Sequence, residues 1–330
     1  MLRYPIFIIL AIGFLFELFG MFAAPLTVFA QEGATQYRLV FVSEEDGNAE
    51  IFSMDIDGKN RKRLTNTHKD VKNIQPRVAP DGKRIVFVSS RDGADNLYVM
   101  DEEGGKTQKI TSLIPPYYAS SPVWSPDGKR IAYVLSYKDP DGKVRGSDIF
   151  SITSEGKENK QILQKRKLAS DRIDWHQKQN VILYTAKNPK GGFLTIIIEL
   201  DNENSESEFK FPGGDSLSCL CFMPDSPNRI LCSGSLKNSD QGIFILERNK
   251  SENTRITLRI KKVLNRATSD NPVTCPVCSP DGKLVIFNVV QRGIPQIYVM
   301  DMIEKKAKSI SGAKAAEYDP DWFPVITKGK

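Results

Sequence analysis

One phrase constrains this chain more than any other: Ser121-Pro122-Val123-Trp124-Ser125-Pro126-Asp127-Gly128-Lys129-Arg130-Ile131-Ala132-Tyr133. It reads as a strand, a tight turn and a second strand. Pro126 pre-sets φ, Asp127 can bond its own backbone, and Gly128 tolerates positive φ. β-favouring residues resume at Ile131. The same grammar returns at Gln75-Pro76-Arg77-Val78-Ala79-Pro80-Asp81-Gly82, after Cys219 with the turn Pro224-Asp225-Ser226, and after Cys275 with Ser279-Pro280-Asp281-Gly282. One copy is worn. There Trp175-His176-Gln177-Lys178-Gln179-Asn180 stands where the Pro-Asp-Gly turn belongs, and His176 reads as a solvated turn residue.

Two columns test the repeat. The second strand of each copy holds Phe41, Phe87, Tyr133, Tyr184, Cys232 and Phe287 in one slot. The third strand holds Phe52, Tyr98, Phe150, Ile198, Phe244 and Tyr298, and in five copies an acid follows three residues later (Asp55, Asp101, Asp201, Glu247, Asp301). A period of about 46–56 residues in all-β sequence is that of four-stranded propeller blades. The first copy has no opening phrase before Tyr37, whereas Asp319-Pro320-Asp321-Trp322-Phe323-Pro324 is an opening phrase with nothing after it. Pro320 and Trp322 stand as Pro122 and Trp124 do. The expectation is an all-β, six-bladed propeller of four-stranded blades over residues 37–325, closed by the C-terminal strand joining the first blade, with a tail at 326–330. Closure in this way removes an open edge.

Ahead of the repeats, Arg3 precedes an apolar run over residues 6–29, interrupted by Glu17 and Pro25, and ends at Ala30. This is a signal peptide cut before Gln31 or an uncleaved membrane anchor. Residues 31–36 form a short lead. Both readings put the body outside the cytoplasm, in the periplasm or secreted. The net charge of +6, from 46 basic and 40 acidic residues, is mild for this length and does not describe a nucleic-acid binder.

No catalytic motif stands out. The two histidines, His68 and His176, fall in different copies, so a His-based triad or metal site would have to be built across blades. Asp55-Ile56-Asp57-Gly58 and Asp139-Pro140-Asp141-Gly142 resemble the start of a calcium loop but lack its distal glutamate, and Asp-Gly hairpin turns explain both. Cys275-Pro276-Val277-Cys278 and Cys219-Leu220-Cys221 lie in strands, where tetrahedral ligation by all four sulfurs is awkward. Counted from the repeat, Cys219 and Cys275 both occupy the slot of Ser121 on the inner strands of neighbouring blades. A disulfide between them, a rival Cys221–Cys232 bond, and five reduced buried thiols all remain open. No catalytic, cofactor-binding or metal residue is assigned.

The phrase around Trp124, together with Asn96-Leu97-Tyr98-Val99-Met100-Asp101 and Gln296-Ile297-Tyr298-Val299-Met300-Asp301, resembles the WD40-like repeat of TolB-type proteins. The resemblance implies a six-bladed propeller, a periplasmic address and protein partners at the cell envelope. It supplies no catalytic residue. TolB proteins carry an α/β domain before the propeller, whereas only a few residues separate the leader from the first blade here, so the resemblance does not extend to membership of the Tol–Pal machine. With only two histidines and no repeated acid–base pair, the expected role is a monomeric, non-enzymatic protein-binding scaffold, without cofactor, meeting the membrane only through its N-terminal segment. The alternative is a propeller lyase or hydrolase acting on a glycan or other polymer at the channel mouth.

Overall fold

The structure, a computed structural model, describes residues 37–324 except 167, 188–192, 202–204, 211–213, 237–240, 251–255, 268–271 and 313. The expected leader at 1–30, the lead at 31–36 and the tail at 326–330 lie outside the described residues.

Strands form because β-branched and aromatic residues alternate between Asp-Gly and Pro-Asp-Gly turns. Among the described residues they make six four-stranded antiparallel sheets. The first strands of blades 2 to 6 are Asn73–Val78, Tyr117–Trp124, Leu168–Trp175, Gly214–Met223 and Val273–Cys278. In blade 1 the first strand is Glu317–Trp322, from the far end of the chain, and it pairs with Arg38–Ser43. Each first strand contacts the first strands of both neighbouring blades, so the six close into a ring around a central channel. Six apolar clusters fill the spaces between adjacent blades.

The turns do what their residues dictate. Gly82, Gly128 and Gly282 adopt φ of 71°, 66° and 74°. Ser125 Oγ accepts from Arg130 N at 2.9 Å and donates to Asp127 at 2.6 Å; Ser279 repeats the device with Leu284 N and Asp281. The aromatic columns pair as expected in five blades: Phe41 faces Phe52, Phe87 faces Tyr98, Tyr133 faces Phe150, Cys232 faces Phe244 and Phe287 faces Tyr298. The fourth blade corrects the sequence reading. Tyr184 faces Ile196, not Ile198, and the acid three residues on is Glu199 rather than Asp201. A slip of two keeps the same face of the strand, so alternation alone could not detect it.

The closing strand is held on three sides. Leu39 pairs with Trp322 and Val40 with Asp321 in the ladder of blade 1. The Trp322 indole donates to Val277 O of blade 6 at 3.0 Å, and Asp321 accepts from Val78 N of blade 2 at 2.9 Å. Tyr37 packs edge-on against Trp322 at 5.5 Å. Deleting residues 317–330 is therefore expected to lower the melting temperature sharply, and Trp322→Ala alone to cost about 3–5 kcal/mol. A truncated chain that melts with the full one would refute closure by this strand.

Candidate functional site: the central channel

Five inner strands share a bulge at one slot. Gln75, Ser121, Cys219, Cys275 and Asp319 all adopt positive φ, between 48° and 54°, although none is glycine. A bulge breaks the period-two alternation and re-aims the residues after it. Those two positions further on are Arg77, Val123, Cys221, Val277 and Asp321, and with Arg172 and Asp174 of blade 4 they line a channel of about 360 Å³. Pro80, Pro126, Gln177, Lys178, Pro280 and Pro324 line it toward the face that carries the turns.

Two guanidinium and two carboxylate groups meet in this channel. Arg77 Nη1 lies 3.7 Å from Asp321 Oδ1, with the side chains only 13 % and 16 % exposed. Asp174 Oδ2 accepts from Phe222 N of blade 5 at 2.7 Å, as Asp321 does from Val78 N. Burial pushes the Asp174 carboxyl up to about 6, against the pull of the Phe222 N–H and of Arg77. Burial likewise raises Asp321, opposed by Arg77 and the Val78 N–H. It lowers Arg172 to about 10, with repulsion from Arg77 adding to it. The arrangement presents both signs of charge to a ligand in the lumen. None of these four residues was singled out in the sequence. Their signal was present in the phrases Gln75-Pro76-Arg77, Arg172-Ile173-Asp174 and Asp319-Pro320-Asp321, in which Arg172 holds the slot of Ser121 and Arg77, Asp174 and Asp321 stand two places beyond that slot.

The histidines do not join them. His68 is exposed beside Asp70, at 3.2 Å. His176 overturns its reading as a solvated turn residue, being only 2 % exposed. It occupies the place of Ser125, accepts from Lys178 N through Nδ1 at 3.2 Å, and packs edge-on against Phe222 at 5.3 Å. The imidazole packs at the boundary of blades 4 and 5, where blade 3 has the smaller Ser125.

Cys219 and Cys275 stand opposite each other across blades 5 and 6, with Cα atoms 4.8 Å apart and their sulfurs paired. That separation lies within the range a disulfide spans. Cys221, Cys232 and Cys278 are free and buried. Cys221 packs toward blade 6 and Cys232 toward blade 4, on opposite faces of their sheet, so the rival bond has no route. Burial pushes the Cys278 thiol up to about 12 and raises Cys221 and Cys232 as well, which makes them poor nucleophiles. Among the described residues no three His, Cys, Asp or Glu side chains converge to hold a metal ion.

Comparison places this architecture among known propellers. The family profile of the TolB beta propeller domain matches residues 18–213. No curated protein matches the chain. TolB from Acinetobacter baumannii superposes with a TM-score of 0.68 at 17 % identity, over 87 % of this chain and 67 % of that one. An oligogalacturonate lyase from Vibrio parahaemolyticus gives 0.56 at 13 %, over 86 % and 76 %. A chain of a nidogen/laminin complex gives 0.64 at 12 %, over 87 % and 98 %. At such identities these likenesses establish the fold.

Two outcomes are expected from the site. We propose that the Cys219–Cys275 bond forms in exported protein. Non-reducing peptide mapping should recover that crosslinked pair, and recovery of both cysteines as free thiols would refute it. His176 gives a pH effect. Burial holds its pKa below the usual 6.5, Lys178 adds to this, and the Met223 backbone and Asp225 oppose it. The unfolded chain therefore binds the proton first as pH falls. The contribution is complete above about 6.5 and lost as pH drops below it. Urea midpoints between pH 7.5 and 5 should fall more for the parent than for His176→Asn, which keeps an acceptor for Lys178 N. Parallel curves would remove the assignment.

Proposed function

The chain belongs to the TolB beta propeller domain family, and from that premise we propose that it is a non-enzymatic protein-binding scaffold of the cell envelope. One observation carries the reading. At the end of the strands away from the Pro-Asp-Gly turns, Ile114, Tyr117, Tyr137 and Val144 are exposed together on blade 3 and the loop entering it. The Tyr117 and Tyr137 rings lie 5.9 Å apart, and Lys138 Nζ sits 4.0 Å over the neighbouring Tyr118 ring. Rigid tyrosines with a flanking cation are the residues that anchor protein interfaces, because they bury a large area at little entropic cost. Contiguous exposed apolar surface of this kind marks an interaction site.

The envelope address rests on residues 1–30 and on the family resemblance. The Cys219–Cys275 pairing is consistent with an oxidising compartment. The enzyme reading draws on one feature, the two carboxylates of the channel whose pKa burial raises. Against it, each carboxylate already accepts a backbone N–H of the next blade, which is a structural use of the group.

The test is capture from a periplasmic extract of the native host with purified propeller as bait. A partner held by the parent chain should be lost from Tyr117→Ala/Tyr137→Ala, each substitution weakening binding by about 1–3 kcal/mol. Equal capture by parent and double variant would exclude this surface as the docking site.

A further inference from the structure

Blades 3 and 4 are joined differently from blades 2 and 3, and a cleft of about 1240 Å³ opens beside that junction. Where blade 2 meets blade 3, three contacts lock the turn face. Arg84 donates to Gly128 O at 2.8 Å, its guanidinium lies 4.8 Å over the Trp124 ring, and the Trp124 indole donates to Arg77 O at 3.0 Å. Arg130 follows its turn as Arg84 does, yet it folds back onto its own blade. It donates to Ser151 Oγ at 2.7 Å, Ser151 O at 3.1 Å and Glu158 O at 2.8 Å. The turn it would have reached is the worn one, which has no Pro-Asp-Gly. Trp175, the counterpart of Trp124, is left without either clasp: among the described residues no guanidinium lies over its ring, and its buried Nε1 has no hydrogen-bond partner.

Trp175 lines this cleft and also the channel. The cleft's charges nearly balance: Arg130, Lys160, Lys178 and Arg248 face Asp127, Glu199 and Asp201. That balance disfavours phosphate chains and polyanions, which need an excess of cations. The polar groups come as mixed donors and acceptors. Asn180 Nδ2 donates to Asp201 Oδ1 at 2.7 Å, and both Nη atoms of Arg248 lie 3.2 Å from Glu199 Oε1. Among the described residues the Lys178 ammonium and the Gln179 amide have no side-chain partner. A ligand that both donates and accepts at many closely spaced points suits such a wall, and hydroxyl groups do so. The volume exceeds that of a usual small-ligand pocket and admits several linked rings.

We propose that this cleft binds an uncharged oligosaccharide, whose hydroxyls meet Asn180, Asp201 and Gln179 along a wall that includes Trp175. The site is independent of the tyrosine surface proposed for a protein partner. The test titrates the purified full chain with cellohexaose, maltohexaose and chitohexaose, followed by calorimetry and indole fluorescence. Saturable binding of at least one is expected. Asn180→Ala and the exposed Asp201→Ala should each weaken it about tenfold, with melting temperatures equal to the parent's. Trp124→Phe should keep the fluorescence change and Trp175→Phe should lose it. The proposal is overturned if none of the three binds at about 10 mM, a concentration that would saturate even a millimolar site. It is also overturned if both alanine variants bind as the parent does, or if polygalacturonate binds and the neutral sugars do not.

Discussion

The pairing of Glu317–Trp322 with Arg38–Ser43 is the interaction on which the ring depends. Each blade exposes a first strand whose apolar face only a neighbour can cover, so five blades without a closed sixth would leave two faces wet and an open edge. The closing strand meets that need through chemistry as well as shape. Its tryptophan reaches back to blade 6, its aspartate reaches forward to blade 2, and its backbone completes blade 1. The two halves of blade 1 lie at opposite ends of the propeller sequence. Their union is the least local contact in the fold and the one with the largest loop to close.

The second constraint is the bulge repeated around the channel. A left-handed conformation costs a non-glycine residue about 1–2 kcal/mol, and five inner strands adopt it at the same slot. The strain has a structural use. It re-aims the residues that follow, and on the open edge of the innermost strands Asp174 and Asp321 bind the Phe222 and Val78 N–H groups across blade boundaries. The channel charge is thus tied to the way blades are joined. Opposite charges there compensate one another, which is the condition under which buried ions are tolerated.

The two proposed binding surfaces sit where the repeat is imperfect. Blade 4 lost its Pro-Asp-Gly turn and put a buried histidine in the place of serine. Arg130 consequently has no turn to clasp, and Trp175 keeps an unmet N–H. One irregularity in sequence therefore propagates through a side-chain exchange to a cleft beside the junction. The opposite end of blade 3 carries the exposed tyrosines. A regular fold with two irregular surfaces suits the proposed role, since function lives in particular sites carried on a fold rather than in the fold itself.

The sequence by itself determined the strand–turn grammar, the six blades and the closure by the chain's far end. All three follow from local rules repeated many times: Pro-Asp-Gly turns, period-two alternation and an aromatic column that pairs strand to strand, as Phe87 does with Tyr98. Tertiary structure alone decided what happens between blades. Burial of His176 depends on Phe222, which lies in the next blade. The two-residue shift that seats Ile196 opposite Tyr184 preserves alternation, so nothing local records it. The convergence of Arg77, Arg172, Asp174 and Asp321 follows from strands that meet only when the ring is closed. A turn or an alternating strand is specified by residues a few places apart, whereas a contact across blades is specified by chain segments about fifty residues apart. The periodic pattern predicts that such segments meet, but not which side chains will face one another.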